Sequence, residues 1–124
     1  MKVFVSGSCG YVGSLLIPHL LAEGHKVVGF DAQFFGDAYL PTDNGSFKLI
    51  KGDIRHPNVV GAAMHGCDVV IWLACLSNDH SFQLDEKLGE EINITAFEPC
   101  VKAAKYAGIK RFIYCSSSSV YGIN

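Results

Sequence analysis

The sequence predicts an α/β protein in which a parallel sheet carries helices on both faces. Short apolar runs rich in β-branched and aromatic residues alternate with segments of helical periodicity, in the order β-α-β-(loop)-β-α-β-α-β. The strand runs are apolar without alternation, which is typical of strands buried on both faces of a parallel sheet. Right-handed crossovers make this a parallel sheet covered on both faces. In the doubly wound arrangement its five strands have the order 3-2-1-4-5.

Each element has its own signal in the chain. Val3, Phe4 and Val5 form the first strand, and a first helix over 12–23 ends at Gly24. Pro99 is expected to kink a long helix over 85–107 or to split it in two. The remaining predictions are strands at Lys26–Asp31, Phe47–Lys51, 68–74 and 111–115, a short helix at Pro57–Met64, and loops over 32–46 and 75–82.

Length and composition indicate one folded domain over residues 1–124. The chain has 124 residues, of which 49% are hydrophobic, and a net charge of −2. No basic surface suggests nucleic acid, and no apolar run approaches the roughly 20 residues of a membrane span. The chain has five cysteines, an odd number. Neither the cysteines nor the five histidines have the spacing of a zinc site. We therefore expect reduced thiols, no metal site and a cytoplasmic protein.

Three glycines follow the first strand, at Gly7, Gly10 and Gly13, and open the first helix. A strand, a glycine-rich turn and a helix N-terminus form a site for a pyrophosphate, because bare backbone N–H groups and the positive end of the helix dipole face the anion. Cys9 lies in this turn, and the same helix end is expected to lower its pKa and give the thiol modest reactivity. The turn alone is weak support for a dinucleotide.

Asp31 strengthens that interpretation. It ends the second strand, 18 residues after Gly13, near the roughly 20 expected for the acid that binds the ribose hydroxyls of a dinucleotide. No Lys or Arg follows it closely, and a carboxylate would repel the extra phosphate of NADP. The sequence therefore predicts NAD as the cofactor.

Several candidate site segments fall at the carboxyl ends of predicted strands. They are the glycine turn, Asp31, Asp53, 73–75 and 116–118. Ligands of open α/β sheets bind at these ends, near the point where strand order reverses. The predicted topology therefore brings these segments to one edge.

With these residues in place, the chain resembles the N-terminal part of an extended short-chain dehydrogenase/reductase. More narrowly, it is similar to the NAD-dependent nucleotide-sugar epimerase/dehydratase family over essentially its whole length. Trp72 and Cys75 depart from the family's His-Leu-Ala-Ala stretch, and Ala96-Phe97 stands where Gly-Thr is common. The resemblance implies an incomplete NAD-binding Rossmann domain over 1–124, truncated before the sixth strand. It implies that NAD is held by Gly7, Gly10, Tyr11, Val12, Gly13, Asp31, Asp53, Ile54, Leu73, Ala74, Cys75, Asn93 and Ser116.

The closing motif Ser-Ser-Ser-Ser-Val-Tyr-Gly carries the catalytic prediction. By its place in the family motif, Ser117 is the catalytic hydroxyl, with Ser116 and Ser118 as the alternatives in a serine-rich loop. The family's general base, in Tyr-x-x-x-Lys, would follow this motif. The one such spacing, Tyr106 and Lys110, precedes it and is interrupted by Gly108, so we reject it.

The resemblance implies an oxidoreductase or isomerase that removes a hydride transiently from a sugar hydroxyl, as an epimerase or a dehydratase. We expect this chain to be part of a longer enzyme, inactive alone, whose parent binds a nucleotide sugar and forms a homodimer. Two alternatives stay open. One is a non-catalytic dinucleotide-binding module, and the other is an NADP-dependent reductase of the same superfamily, which Asp31 disfavours.

Overall fold

A computed structural model of the chain describes residues 1–77 and 84–122. The predicted loop over 75–82 therefore lies partly outside the described residues. Nine helices and strands make up the described fold, joined by a π-helical turn at Glu91–Thr95 and a closing 3₁₀ turn at Ser118–Tyr121. In chain order the nine are β1 Lys2–Ser6, α1 Tyr11–Ala22, β2 Lys26–Asp31, β3 Phe47–Lys51, α2 Pro57–Met64, β4 Val69–Trp72, α3 Glu86–Glu90, α4 Phe97–Tyr106 and β5 Arg111–Tyr114.

The strands form one sheet in the order β3-β2-β1-β4-β5, and every described pair is parallel. The sequence-based strand order is thereby confirmed. Val5 of β1 lies opposite Gly29 of β2 and Ile71 of β4, so the first strand is at the centre of the sheet. The turn that follows β1 is consequently enclosed by the ends of β2 and β4.

Both faces of the sheet are covered, as the unbroken apolar strands require. Phe4 points to one face, where it packs with Phe30 and with Val60 of α2. Val5 points to the other face and packs with Ile17 of α1. All of these side chains are buried. The two layers of helix fix the sheet from either side and leave its carboxyl edge open for a ligand.

The long helix predicted over 85–107 is divided into two α-helices, as the prediction allowed, but the break lies upstream of Pro99. Its interruption is the π-helical turn Glu91–Thr95, which ends just before α4. Pro99 lies in the first turn of α4, and a proline ring clashes with the carbonyl four residues earlier, here that of Thr95. Widening of the turn that contains Thr95 relieves this clash and accounts for the break one turn upstream of Pro99.

Strand β4 is shorter than the predicted 68–74. Ser6 of β1 is fully buried, and its Oγ accepts the N–H groups of Leu73 and Ala74, each at 3.3 Å. The Leu73 N–H also has a backbone acceptor, the Ser6 carbonyl oxygen at 3.1 Å, so the side chain adds to the last bond of the ladder, and β4 itself ends at Trp72. The residues that follow are held against the end of β1 by a side chain.

Across 1–77 and 84–122, no helix has the length and apolar content needed to cross a bilayer. In the same ranges, no three or more His, Cys, Asp or Glu side chains are grouped so as to hold a metal ion.

Candidate functional site

The turn between β1 and α1 requires glycine at position 7. Gly7 has a φ of +71°, a conformation that L side chains rarely adopt. Its N–H donates to the Phe30 carbonyl oxygen at 2.9 Å, while a Cβ at this position would lie 2.8 Å from the backbone nitrogen of Ala74. The turn therefore touches the ends of both β2 and β4, and any side chain at position 7 would push them apart.

Gly10 starts α1. The Ser14 N–H donates to the Gly10 carbonyl oxygen at 2.9 Å, which is the first hydrogen bond of the helix. Gly10 has no side chain to cap the helix, and the backbone N–H groups of the first turn have no acceptor within a helix. Together with the helix dipole, these donors give the sheet's carboxyl edge the geometry that can hold an anion.

Gly10 and Gly13 differ in what a side chain at each position would contact. A Cβ at Gly13 would lie 2.5 Å from the carbonyl oxygen of Gly7 and 2.6 Å from that of Ser8, so this glycine lets α1 pack against the turn. A Cβ at Gly10 would meet only the Gly7 oxygen, at 3.3 Å. Position 10 is therefore open on the side that a ligand would occupy.

Asp31 faces the glycine turn. Its Oδ2 accepts the Cys9 N–H at 2.9 Å, and its Oδ1 accepts the Gln33 N–H at 2.7 Å. These bonds fix the carboxylate at the end of β2, and each carboxylate oxygen keeps a further lone pair. The carboxylate is half-buried and can accept hydrogen bonds from a vicinal diol in the neighbouring cavity.

The thiol of Cys9 does not have the lowered pKa expected from the sequence. Burial and the negative charge of Asp31 raise the pKa of Cys9 to about 11. Burial, the larger effect, and the carboxylate at the adjacent strand end both oppose the helix dipole that suggested a lowered pKa. The expected thiol reactivity at this position is therefore wrong.

Asp53 is bound by a neighbour that the sequence analysis missed. Arg55 Nη2 donates to Asp53 Oδ2 at 2.6 Å, and Arg55 Nη1 donates to Glu91 Oε2 at 3.0 Å. The hydrogen bonds from Arg55 hold the pKa of Asp53 below its usual value. Ile54 is buried, and its carbonyl oxygen accepts a hydrogen bond from the Cys100 thiol at 3.2 Å. The Asp-x-Arg spacing could have suggested the pairing with Arg55, but nothing in the sequence pointed to Glu91.

Asn93 acts through the backbone of the loop after β4. Its Oδ1 accepts the Leu76 N–H at 2.8 Å, and its Nδ2 donates to the Leu76 carbonyl oxygen at 3.0 Å. The π-helical turn that carries Asn93 is thus joined to the segment after Leu73 and Ala74. Asn93 is not among the residues that line the cavity, although its partner Leu76 is.

A cavity of about 610 Å³ opens at this edge of the sheet, a size typical of cofactor sites. Of the predicted cofactor residues, eleven line it: Gly7, Gly10, Tyr11, Val12, Gly13, Asp31, Asp53, Ile54, Leu73, Ala74 and Cys75. Asn93, Ser116 and the predicted catalytic Ser117 do not. Lining residues that the sequence analysis missed are Phe30, Ala32, Phe34, Phe35, Gly52, Leu76, Ser77, Ile92 and Cys115.

Phe34 and Phe35 are notable among the missed residues. They are 77% and 94% exposed and lie at the rim of the cavity, in the loop after Asp31. Exposed phenyl rings beside a cavity offer flat apolar faces on which an aromatic ring can stack. Their only sequence signal was two adjacent aromatic residues in a polar loop.

Ser117 lies in the segment after β5 and is not among the residues that line the cavity. Cys115 lines the cavity, and Ser117 follows two residues later. The Ser117 carbonyl oxygen accepts the Val120 N–H at 3.3 Å and leads into the 3₁₀ turn. The rejected pair, Tyr106 and Lys110, is not part of the cavity lining. Tyr106 is 92% exposed, and Lys110 forms an ion pair with Asp68.

Comparisons with known proteins agree with this geometry. The model of the NAD dependent epimerase/dehydratase family matches residues 3–124. A UDP-glucose 4-epimerase of Mycolicibacterium smegmatis is 31% identical over 127 residues, or 98% of this chain and 41% of that protein. A 3 beta-hydroxysteroid dehydrogenase/Delta 5-->4-isomerase of Mycobacterium tuberculosis is 32% identical over 123 residues, or 96% and 32%.

Solved structures extend the likeness to the fold. MoeE5 in complex with UDP-glucuronic acid and NAD has a TM-score of 0.86 with this chain at 31% identity. The match covers 100% of this chain and 39% of MoeE5. The chain thus spans between 32% and 41% of the length of the relatives named here.

Proposed function

The chain belongs to the NAD dependent epimerase/dehydratase family, and we propose that it forms the cofactor-binding part of a longer enzyme that acts on a nucleotide sugar. NAD is the cofactor of this family. The residues present fit the dinucleotide, because the glycine turn leaves a cradle that a Cβ at Gly10 would begin to fill. In this proposal the first-turn N–H groups of α1 hold the pyrophosphate and Asp31 holds the adenosine ribose.

The charges of the cavity favour NAD over NADP. Among the described lining residues, the charged side chains are the carboxylates Asp31 and Asp53, with no Lys or Arg. Backbone N–H groups can hold the shared pyrophosphate, but an added phosphate beside Asp31 would meet a like charge. An NADP-dependent reductase is therefore the less favoured alternative.

When bound, NAD supplies the site that accepts and returns a hydride, and the protein supplies position and charge. We propose that the Ser117 hydroxyl hydrogen-bonds the reacting sugar oxygen and stabilises the charge that develops there. The described residues offer no suitable Tyr-x-x-x-Lys pair, since Tyr106 and Lys110 lie away from the cavity. We therefore assign the general base to residues that follow Ser117 in the longer enzyme.

The proposed substrate class rests on the relatives. MoeE5 is solved with a nucleotide sugar and NAD, and the M. smegmatis relative is named for a nucleotide sugar. The steroid dehydrogenase relative is equally similar in sequence, so what the two classes share is oxidation of a hydroxyl group. Within this class we propose a nucleotide sugar as substrate and a transient oxidation that leads to epimerisation or dehydration.

The observation that carries the proposal is the Asp31 carboxylate, held against the Cys9 N–H at 2.9 Å beside an open cavity. It is tested by calorimetric titration of the chain with NAD and with NADP. Replacing Asp31 with Asn should weaken NAD binding about tenfold to a hundredfold, because charge-assisted hydrogen bonds contribute about 1.5 to 3 kcal/mol. The matched control is Asp37→Asn, an exposed acid of the same loop outside the cavity lining.

Tighter binding of NADP than of NAD, or equal NAD affinity in both variants, would refute the role of Asp31. Catalysis is tested in the longer enzyme with UDP-glucose and a 3β-hydroxysteroid as substrates. Ser117→Ala should lower kcat at least a hundredfold with little change in NAD affinity. Steroid oxidation without sugar turnover would contradict a nucleotide sugar as the substrate and favour a steroid. NAD binding without turnover of either substrate would favour the non-catalytic module.

A further inference from the structure

Two cysteines lie together at the opposite side of the cavity from Asp31. Cys75 follows β4 and Cys115 follows β5, and both are free, exposed and part of the cavity lining. The other cysteines differ, since Cys67 and Cys100 are buried and Cys9 is half-buried in the glycine turn. Cys75 and Cys115 are thus the two thiols that a reagent entering the cavity can reach most readily.

The two thiols follow the adjoining ends of β4 and β5, two positions apart in the strand register. Trp72 lies opposite Tyr114 in the β4–β5 pair, and the Cys115 N–H donates to the Trp72 carbonyl oxygen at 3.3 Å. Continued by one step, this register sets Cys115 opposite Leu73, and Cys75 follows two residues later in the loop after β4. A charge on Cys115 also raises the pKa of Cys75, in addition to the larger effect of burial.

The surroundings favour a soft ligand over a hard one. The lining around Cys75 is largely apolar, with Leu73, Ala74, Leu76 and Ile92, and both described carboxylates of the cavity lie beyond β1. Thiols in an apolar setting select thiophilic metals and metalloids, whereas hard cations require oxygen ligands.

We propose that Cys75 and Cys115 form a dithiol site for a thiophilic metal or metalloid bound by both sulfurs, and that its occupation closes the cofactor cavity from the β4–β5 side. With a trivalent arsenic oxide the step balances without an oxidant. Two S–H bonds and the arsenic–oxygen bond break, two S–As bonds form, and the protons leave with the oxygen as water. Arsenic stays trivalent throughout.

The probe is phenylarsine oxide, followed by intact-protein mass spectrometry after a challenge with excess 2-mercaptoethanol. One cyclic adduct should survive the challenge in the unmodified chain and in Cys9→Ser, because a chelate of two thiols resists a monothiol. Cys75→Ser and Cys115→Ser should each lose it. Both positions are exposed, and circular dichroism checks that the variants are folded. An adduct that survives in both of these variants, or none in the unmodified chain, overturns the dithiol site.

The effect on the cavity is a separate measurement. The adduct should weaken NAD binding at least tenfold, and a dithiol that removes the arsenic should restore it. Unchanged NAD affinity in the adduct overturns the closure of the cavity. Failure of the chain to bind NAD at all strikes only the proposed function, because formation of the adduct is read without NAD.

Discussion

The side-chain amide of Asn93 and the backbone of Leu76 form a reciprocal pair of hydrogen bonds, at 2.8 Å and 3.0 Å. The pair joins the π-helical turn to the loop after β4, across 17 residues of sequence. The pair supplies hydrogen-bond partners to the backbone of this loop, as a neighbouring strand does for β4. The loop borders the cavity, so the pair also determines the shape of the candidate site.

Asn93→Ala should lower the free energy of unfolding by about 1 to 3 kcal/mol, because both Leu76 backbone groups lose their partner in a half-buried place. Urea unfolding monitored by circular dichroism measures this. Thr95→Ala, an exposed change in the same turn, is the control and should alter stability by no more than about 0.5 kcal/mol. Equal stabilities of the two variants would show that the amide contributes nothing.

Alanine at Gly10 and at Gly13 should separate binding from packing. Gly13→Ala forces a Cβ against the carbonyl oxygens of Gly7 and Ser8 and should destabilise the fold by about 1 to 3 kcal/mol. Gly10→Ala should cost less than about 1 kcal/mol but weaken NAD binding at least tenfold, since its Cβ enters the open cradle. Unfolding and NAD titration are measured on both variants. A reversed pattern would contradict the assigned roles.

The sheet and the cofactor side of the site were predictable because their signals are local. The apolar run at Val3–Val5 indicates a buried strand, and the alternation of strands and helices indicates the doubly wound arrangement with its strand order. Contacts between distant segments gave no such signal. Arg55 and Glu91 are 36 residues apart, and their pairing depends on how the π-helical turn meets the end of β3. The π-helical turn itself has the same apolar spacing as an α-helix, so periodicity could not reveal it.

The charge network of Arg55 should be visible in the pH dependence of stability. Arg55→Met should cost about 0.5 to 1 kcal/mol at pH 7, a small value because solvent screens these half-exposed groups. The lowered pKa of Asp53 stabilises the fold above the usual carboxyl value of about 3.9, and this contribution is lost as the pH falls through the lowered pKa. The cost should therefore be constant from pH 7 to pH 5 and shrink below about pH 4.

Urea unfolding at several pH values tests this, together with a carboxyl-carbon NMR titration of Asp53. The titration midpoint of Asp53 should rise in Arg55→Met. Lys102→Met is the matched control, since it breaks a fully exposed ion pair with Glu98 and should change stability little. A cost for Arg55→Met that is as large at pH 3 as at pH 7 would show that Arg55 stabilises the fold by packing instead of by charge.

Cys9 should react slowly with alkylating reagents, although it lies at a helix N-terminus. With its pKa raised to about 11, only about one thiol in a thousand is ionised at pH 8, and the thiolate is the reactive form. Asp31→Asn removes the charge that contributes to this shift and should speed alkylation of Cys9, while burial keeps it slower than a free thiol. Asp37→Asn removes a carboxylate that raises the pKa of Cys9 less than Asp31 does, so it should speed alkylation less. Iodoacetamide labelling read peptide by peptide over pH 7 to 10 measures the rates. Labelling of Cys9 as fast as that of exposed Cys115 at pH 8 would show that the helix dipole prevails over Asp31 and burial.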